Sequence, residues 1–454
     1  MSYAFQGITT LSSALEAFQD QLDITGQNIS NVNTPGYSQQ QVNLSESPSS
    51  NEFFGSGFQL GNGVNIQSIT RVRDMYLQAS SINSNADLGA ANAQTNATTQ
   101  ANNIVADPNN TGLASAIDGF FNAWSSLAST PGSANQQAVV QAGQTLATDL
   151  TSTYSSIQGL QVQTSQQISS TVQQIQSDSN QIAQLNQQIL TTQASGANPD
   201  ALMDQRDQVV QQLSSLANVN VQQYGNGSYE VSMGNLILVN QSGAQTVPTQ
   251  FNAATMSLTD GTNSYQVQSG QLAGLMTSVN QMNGYENNLN TLATTMESNV
   301  NSLYSAGTNS SGTTGVNFFT GTGASDFGVN STLASNPSSV ATGTTTASGD
   351  VGIAQQIAAL GTTSISGLGN MTPTQYYSQL VGQIGSDGQT AQNNQSTQSA
   401  LNAQIQNQIQ STSGVNIDQE MTSLLQFQRS YQAAAQAVSS MDQVVQSLLQ
   451  SVES

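Results

Sequence analysis

Apolar side chains recur every seven residues at both ends of the chain, and the stretch between the ends follows other patterns. Near the N-terminus two such series, offset by three residues, are interrupted only by Thr25. Near the C-terminus two further series run on without a polar residue. This spacing keeps one side of an α-helix against a partner helix, so both ends are predicted to be halves of a coiled coil. The predicted seam consists of Ile8, Leu11, Leu15, Phe18, Leu22, Ile29, Ile417, Leu424, Phe427, Tyr431, Val438, Met441, Val445 and Leu448.

The two terminal helices have recognisable start and stop signals. The first is predicted to run from about Tyr3 to Ser30, where a cluster of Asn, Thr, Pro and Gly residues ends it and begins an extended arm. The second is predicted to run from Ile417 to about Val452, after a capping pattern. Its apolar surface is wider than a two-stranded coil needs. We therefore expect contacts between subunits in addition to a hairpin between the two ends.

The interior changes period several times. Helical spacing predicts two helices between Ala134 and Leu190 and another that starts at Pro199-Asp200. An Ala- and Asn-rich helix from Arg71 to about Ala106 has few large apolar residues, and its packing partner stays open. A period of two from Asn218 to Asp260 predicts a small β element.

The predicted fold class is mainly α, with the N- and C-terminal helices paired as a coiled coil, a helix-rich bundle body and a small β-rich insert. The predicted divisions are 1–45 for the N-terminal coiled-coil half and extended arm, 46–217 for a helical body with short strands, 218–261 for the small β element, 262–305 for the continued helical body, 306–350 for a Gly-, Ser- and Thr-rich irregular or β insert, 351–410 for the return of the helical body, and 411–454 for the C-terminal coiled-coil half.

Composition narrows the possible functions. The 454 residues include 25 acids and only four bases, which gives a formal net charge of −21. The four bases are Arg71, Arg73, Arg206 and Arg429. Nucleic acid is excluded as a partner because no basic surface can be assembled. Histidine and cysteine are absent, which removes imidazole triads, thiolate catalysis, disulfides and most zinc sites. We therefore expect no catalytic residues, no cofactor and no metal.

Asp204 and Asp207 are the clearest candidates for paired carboxylates, which can do general acid–base work. Arg206 lies between them on a predicted helix, and the apolar spacing of that helix places all three charges on its exposed side. A solvated helix face is the preferred interpretation.

Targeting signals are scarce. The first twenty residues hold no Lys or Arg and include Glu16 and Asp20, which does not fit a secretory signal peptide. No apolar run approaches the length of a membrane span, so no membrane partner is expected. Taken alone, these absences predict a soluble cytoplasmic protein.

The stretch SSALEAFQDQLDITGQNISNVNTPGYSQQQVNL, from Ser12 to Leu44, resembles the N-terminal motif shared by flagellar rod, hook and hook-associated proteins. The C-terminal stretch SGVNIDQEMTSLLQFQRSYQAAAQAVSSMDQVVQSLL is similar to the corresponding end of these axial proteins. Two interior stretches, MDQRDQVVQQLSSLANVNV and VNSTLASNPSSVATG, resemble the body of hook-associated rather than hook or rod members. The motif residues are Asn28, Asn31, Asn33, Thr34, Pro35, Gly36 and Tyr37.

The resemblance implies a structural axial protein, not an enzyme, that joins hook to filament and polymerises through its terminal helices. The partners it implies are a ring of identical subunits, the hook protein, a second junction protein, filament subunits and a cytoplasmic export chaperone at the C-terminal helix. It also implies type III export without a cleaved signal peptide, to the hook–filament junction outside the cell. Because lysine is absent, subunit contacts are expected to be apolar and amide-based rather than salt bridges.

Two other functions remain open. The chain could be a hook or rod protein of the same family, which its position on isolated flagella would distinguish. It could also be a Gln- and Ser-rich surface adhesin whose coil only trimerises, which export without the flagellar apparatus would support.

Overall fold

The computed structural model describes residues 2–47, 61–106, 112–309, 312, 314–347 and 349–453. The helices are α1 (Ser2–Ser30), α2 (Met75–Val105), α3 (Leu113–Ser129), α4 (Ser133–Ala194), α5 (Asp200–Leu216), α6 (Gln271–Tyr304), α7 (Ser331–Ser335), α8 (Gly352–Leu360), α9 (Pro373–Ser413) and α10 (Ile417–Glu453). The strands are β1 (Gln40–Glu46), β2 (Val64–Arg71), β3 (Asn220–Gln223), β4 (Tyr229–Met233), β5 (Leu236–Asn240), β6 (Gly243–Ala244), β7 (Gln250–Asn252), β8 (Ser257–Thr259), β9 (Ser264–Gln266), β10 (Phe319–Thr320) and β11 (Gly328–Val329). Short 3₁₀ helices span Pro337–Ser339 and Ser366–Leu368.

All the strands described pair antiparallel in small sheets. β1 and β2 form a hairpin beside α1, with Gln40 opposite Arg71 at its base. β3 to β6 form a four-stranded sheet in chain order, and β7 to β9 form a three-stranded one. β10 and β11 pair within the otherwise irregular segment before α7. The predicted fold class, mainly α with paired terminal helices and a small β-rich insert, is confirmed.

The prediction of two helices between Ala134 and Leu190 is wrong, because α4 is one helix of 62 residues. Buried side chains follow one another along its whole length, from Val139 to Ile189. Packing over that length offsets the weak helix propensity of Gly159, which lies exposed in its middle.

Two apolar clusters fill the body, and α4 and α6 contribute to both. The first cluster holds the aromatic residues, including Trp124, which lies edge-on to Phe318 at 5.4 Å between ring centroids. The second cluster contains the C-terminal half of α4 and the N-terminal part of α6. These pack with α5 and with the sheets that follow α5. Trp124 is fully buried and is a core residue.

The packing partners of α2, left open by the sequence, are α9, α6 and α5. Its buried face consists mostly of alanine, serine and threonine, for example Ala86, Ala91 and Ser81. Side chains this small allow backbones to approach closely, and they explain why hydrophobic spacing did not reveal the contact. Amides join the helices at the edge, where Gln406 Nε2 of α9 donates to Ser81 Oγ at 2.9 Å.

Candidate assembly interface

The two terminal helices pack against each other in antiparallel orientation. Gly7, near the start of α1, lies so close to Met441 of α10 that a Cβ atom added to Gly7 would stand 2.8 Å from the Met441 sulfur. At the other end of the pair, the backbone N–H of Gln39 donates to the Ser413 carbonyl at 3.2 Å, and Gln39 Nε2 donates to Glu420 Oε1 at 2.6 Å. The chain's two ends therefore form one helical pair.

The predicted seam residues lie along this pair, and a single chain covers them only in part. In α1 the most buried residues are Ala17, Ile24, Thr25 and Asn28, so the threonine that interrupts the heptads is itself buried. Its hydroxyl donates to the Gln21 carbonyl at 2.7 Å. The half-buried seam residues are Ile8, Leu11, Leu15, Phe18, Leu22, Ile29, Leu424, Phe427, Val438 and Val445. The exposed ones are Ile417, Tyr431 and Met441, and the side chain of Leu448 lies outside the described residues.

α10 also carries large apolar side chains that nothing in the described chain covers. Ile417 is 48% exposed, Leu425 50% and Val444 54%. Met421 and Leu449 are exposed to a similar degree. A helix with an apolar surface this broad requires more than one neighbouring helix to remove it from water.

Asn28 fixes the direction in which the chain leaves α1. Its Nδ2 donates to the Gln40 carbonyl and its Oδ1 accepts from the Gln40 backbone N–H, both at 3.0 Å. The Tyr37 hydroxyl donates to the same Oδ1 at 2.8 Å. Because Asn28 is buried, it satisfies two backbone groups that water cannot reach, and it holds the start of β1 against α1.

The remaining motif residues form the turn between α1 and β1. Thr34 closes it with a backbone N–H donated to the Asn31 carbonyl at 2.9 Å and a hydroxyl donated to Asn31 Oδ1 at 3.1 Å. Gly36 has a φ of +80°, which favours glycine. The Pro35 carbonyl accepts from Gln208 Nε2 of α5 at 2.9 Å, while Asn33 is exposed. This turn therefore also rests on the body.

A set of ionic contacts, here called the arm node, joins the arm to α5. Asp204 Oδ1 accepts from Ser38 Oγ at 3.0 Å and from Arg71 Nη1 at 2.7 Å. Asp207 Oδ2 accepts from Arg71 Nη1 at 2.8 Å and also from Arg73 Nη1. The prediction that Asp204 and Asp207 lie on an exposed helix face is wrong, because the arm and the β1–β2 hairpin cover them.

Arg206 was also predicted on that exposed face, and it is fully buried instead. Its Nη1 donates to Asn186 Oδ1 at 2.9 Å and to the Gly227 carbonyl at 2.7 Å. Its guanidinium carbon lies 3.4 Å from the centroid of the Tyr229 ring, a cation–π contact. Arg206 thus ties α5 to α4 and to the turn between β3 and β4.

Burial and neighbouring charges set the pKa values of the ionisable groups in and around the arm node. Burial raises the pKa of Tyr37 to about 12, and Asp204 adds to this rise, so its hydroxyl stays a donor to Asn28. Burial alone would lower the pKa of Arg71, but Asp207 and Asp204 hold it above its usual value. Burial raises the pKa of the Asp200 carboxyl. Asp204 pairs with Arg71, and Asp207 pairs with both Arg71 and Arg73, which favours a structural role over proton transfer.

The sequence contained a signal for the node that heptad analysis did not use. Asp200, Asp204 and Asp207 are spaced by four and three residues, which places three acids on one side of α5. In a chain with four basic residues, Arg71 and Arg73 are two residues apart. Charge matching between these groups would have located the contact.

Other kinds of site find little support in the described residues. They contain no group of His, Cys, Asp and Glu side chains that could hold a metal ion. None of their helices is both long and apolar enough to cross a membrane. A cleft of about 630 Å³ opens beside the arm node, between α2, α5 and β3.

Three family models match parts of the chain. The model described as the flagellar hook-associated protein FlgK helical domain matches residues 98–319. The C-terminal region of the flagellar basal body rod FlgEFG proteins matches residues 406–451. The flagella basal body rod protein model matches residues 8–37. The last two matches cover most of α10 and most of α1.

Similar proteins carry consistent names. Flagellar hook-associated protein 1 of Bacillus subtilis (strain 168) is 27% identical over 501 residues, which cover 99% of this chain and 98% of that protein. The protein of the same name from Salmonella typhimurium is 29% identical over 329 residues, which cover 68% of this chain and 58% of that protein. The solved structure of the flagellar hook junction protein FlgK from Burkholderia pseudomallei has 27% sequence identity and a TM-score of 0.46, over 53% of this chain and 46% of that one.

Proposed function

Because this chain belongs to the family of flagellar hook-associated protein 1, we propose that it is a structural subunit of the bacterial flagellum that joins the hook to the filament. In this proposal it polymerises through α1 and α10, acts outside the cell and catalyses no reaction. Its partners are identical subunits in a ring, the hook protein, a second junction protein and filament subunits.

The observation that carries the proposal is the uncovered apolar surface of the terminal pair. α1 covers only one side of α10, and residues such as Leu425 and Val444 stay exposed in a single chain. Apolar surface on a paired helix is typical of a subunit interface. Identical subunits arranged around an axis would cover this surface in every copy.

The arm node supports the proposal from the side of the body. Arg71, Arg73 and Ser38 fix the arm to α5 through buried charge-assisted contacts. A subunit that transmits force between two parts of a filament requires its interface helices to be held firmly to its body. The node and the Asn28 contacts together provide that connection.

Export is the second part of the proposal. Before assembly α10 would expose apolar side chains to the cytoplasm, so we propose that a dedicated export chaperone covers part of Ile417–Val452. Passage by the flagellar type III route would then need no cleaved signal peptide. A truncated chain that ends at Gly414 and still retains the same chaperone in a pull-down would overturn this part.

The function is tested by deleting the gene in the producing organism. We expect cells that build hooks but lose their filament subunits to the medium. Cells that still carry normal attached filaments would refute the proposal. Labelled protein found along the whole hook or in the rod would favour the other family roles, and export without the flagellar apparatus would favour an adhesin.

The assembly surface is tested by Val438→Asp. Val438 lies half-buried in the predicted seam. Burying a valine contributes about 1.5–3 kcal/mol, and a carboxylate there adds a desolvation penalty in every copy of a ring. We expect soluble, exported protein that fails to retain filaments. The control is Val162→Asp, which changes an exposed valine of α4 and should leave filaments unaffected. Normal filaments with Val438→Asp would show that this seam is not the assembly surface.

A further inference from the structure

We propose that the outward face of α10 docks onto the outward face of α1 in a second copy of this chain, with Arg429 as its charged anchor. The partner surface on α1 carries Glu16, Asp20 and Asp23. The inference rests on the proposed function, because it specifies which surfaces meet when the terminal helices assemble.

Arg429 is available for such a contact. Arg71 and Arg73 are committed to the arm node, and Arg206 is buried against Tyr229. Arg429 is exposed and makes no ion pair or hydrogen bond with any described residue. The residues three and four positions away on α10 are Leu, Gln, Gln and Ala, so no carboxylate of its own helix is within reach. Since lysine is absent, Arg429 is the unpaired side-chain cation of the described chain.

The direction of Arg429 follows from helix geometry. It lies nine residues after Glu420 and nine before Val438, which is about half a turn from each. Glu420 is buried and bonded to Gln39, and Val438 is half-buried in the seam. Arg429 therefore points away from α1. Met421 and Leu425, spaced by four residues before it, add an exposed apolar strip to the same face.

The matching surface of α1 is acidic. Glu16, Asp20 and Asp23 follow one side of the helix, and α1 contains no basic side chain. Glu16 lies nine residues after Gly7, about half a turn from the position that abuts Met441. Glu16 and Asp23 are exposed. This surface therefore faces away from α10.

The two surfaces lie at the same height along the helical pair. Arg429 precedes Met441 by twelve residues, and in an antiparallel pair the level of Arg429 corresponds to the residue twelve positions after Gly7. That residue is Gln19, midway between Glu16 and Asp23. A second copy displaced sideways, with no shift along the axis, brings its acidic surface against Arg429. Because the surfaces lie on opposite sides of the pair, the contact is head-to-tail and can close a ring.

This contact modifies the expectation that subunits meet only through apolar and amide groups. Copies with a net charge of −21 repel one another, and a single cation placed opposite three acids offsets that repulsion where the copies are closest. If a neighbouring copy were shifted along the helix axis, the same acids would meet no cation. The contact thus selects the register of assembly as well as strengthening it.

The absence of cysteine makes a direct test possible. Chains carrying both Asp20→Cys and Arg429→Cys are produced in the deletion strain, and flagella are isolated and oxidised. Within one chain the two positions point away from each other across two packed helices, beyond the reach of a disulfide. We expect a ladder of disulfide-linked dimers and larger species on a non-reducing gel. The control, Asp20→Cys with Gln443→Cys, uses an exposed residue about 21 Å further along α10 and should stay monomeric.

Charge reversal tests the anchor. We expect Arg429→Glu to lower the number of attached filaments by about tenfold, since a weak exposed pair is lost at every contact of the ring and repulsion replaces it. The added change Asp20→Arg should restore most of them, and Gln443→Glu should have no effect. A monomeric gel pattern, or normal filaments with Arg429→Glu, overturns the inference. If the proposed function itself is wrong, even the unmodified protein is absent from the hook–filament junction of isolated flagella.

Discussion

Asn28 and the arm node show how single side chains hold an extended segment in place. The arm has no helix of its own, so its buried backbone groups depend on side-chain partners such as Asn28. Arg71, at the end of the strand that pairs with β1, depends on the acids of α5 in the same way. The resemblance in the sequence identified Asn28 as a motif residue, but only the structure shows that it pairs with Gln40.

The prediction that the acids of α5 are exposed is wrong for a physical reason. Helical spacing identifies the apolar face from Val209 and Leu213, and it assigns the opposite face to solvent. Here that face is covered by Arg71 and Arg73, more than 130 residues earlier in the chain. A contact between charged groups so far apart leaves no trace in the apolar periodicity of either segment.

The node predicts a large cost for Asp207→Asn. Asp207 is buried and accepts from both Arg71 and Arg73, so the neutral amide removes the negative charge that faces these two partly buried guanidiniums. We expect the free energy of unfolding to fall by about 3 kcal/mol, the lower part of the usual range, because Arg71 keeps Asp204. Denaturant titration of the purified chain measures the change. Asp23→Asn, at an exposed acid, should change it by less than about 0.5 kcal/mol.

Adding Arg73→Gln to Asp207→Asn should recover part of the lost free energy of unfolding, because the unpaired guanidinium charge is removed as well. A single Asp207→Asn change that leaves stability unaltered would show that the node contributes nothing to the fold.

Asp350 predicts a local response to acid. Its carboxylate accepts from the backbone N–H of Gly352 and from the hydroxyl and N–H of Thr345, and these bonds lower its pKa from 3.8 to about 2. A depressed carboxyl pKa stabilises the folded loop above pH 3.8, and this contribution is lost as the pH falls through about 2. NMR titration of the Thr345 and Gly352 amides should show that midpoint. A midpoint near 3.8 would contradict it, and Asp350→Asn should abolish the transition.

At the scale of elements, the sequence predicted the bounds of the two terminal helices better than the lengths and packing partners of the interior helices. The bounds of α1 and α10 lie within one residue of those predicted, because a turn cluster and a capping pattern mark them. The length of α4 and the partners of α2 depend on contacts between distant segments, and no local pattern encodes those. In an alanine-rich helix such as α2, the buried positions differ little in hydrophobicity from the exposed ones, so the sequence does not reveal the packed face.

Two glycines in α4 give a matched test of its packing. Gly159 is exposed and has no atom near the position of a Cβ, so Gly159→Ala should stabilise the chain by about 0.5–1 kcal/mol. At Gly143 a Cβ would stand 2.9 Å from the Phe318 ring, which is fully buried among other aromatics. Gly143→Ala should therefore destabilise by about 1–3 kcal/mol. Thermal unfolding of both variants measures the difference, and equal effects would argue against tight packing there.

At the scale of the whole molecule, the terminal pair differs from the body in how much of it is buried. Both clusters of the body are closed, whereas most seam side chains in α1 and α10 are half-buried. In proteins most of the stability of a helix comes from the packing of its apolar face, and a single chain provides only part of that packing for α1 and α10. The division of the chain into a terminal pair and a body remains a prediction from sequence, and the next experiment addresses it.

Limited proteolysis of the soluble monomer should trim both ends first and leave a core of roughly residues 45 to 405. A protease that cuts beside apolar residues is suitable, because the chain has no lysine and only four arginines. Mass spectrometry of the fragments defines the core. Equal protection of the ends and the body would contradict the prediction.

The continuity of α4 has a mechanical consequence. This helix is about 93 Å long, and its side chains pack into both apolar clusters. Bending α4 between the clusters would break its backbone hydrogen bonds and also disturb the side chains packed against it. We therefore expect the body to resist bending. The chain crosses between body and terminal pair at the turn after α1, which Gln208 and the arm node hold to α5, and at the short link between α9 and α10. Because the Gln39 N–H bonds to the Ser413 carbonyl, a force applied to one crossing is also carried by the other.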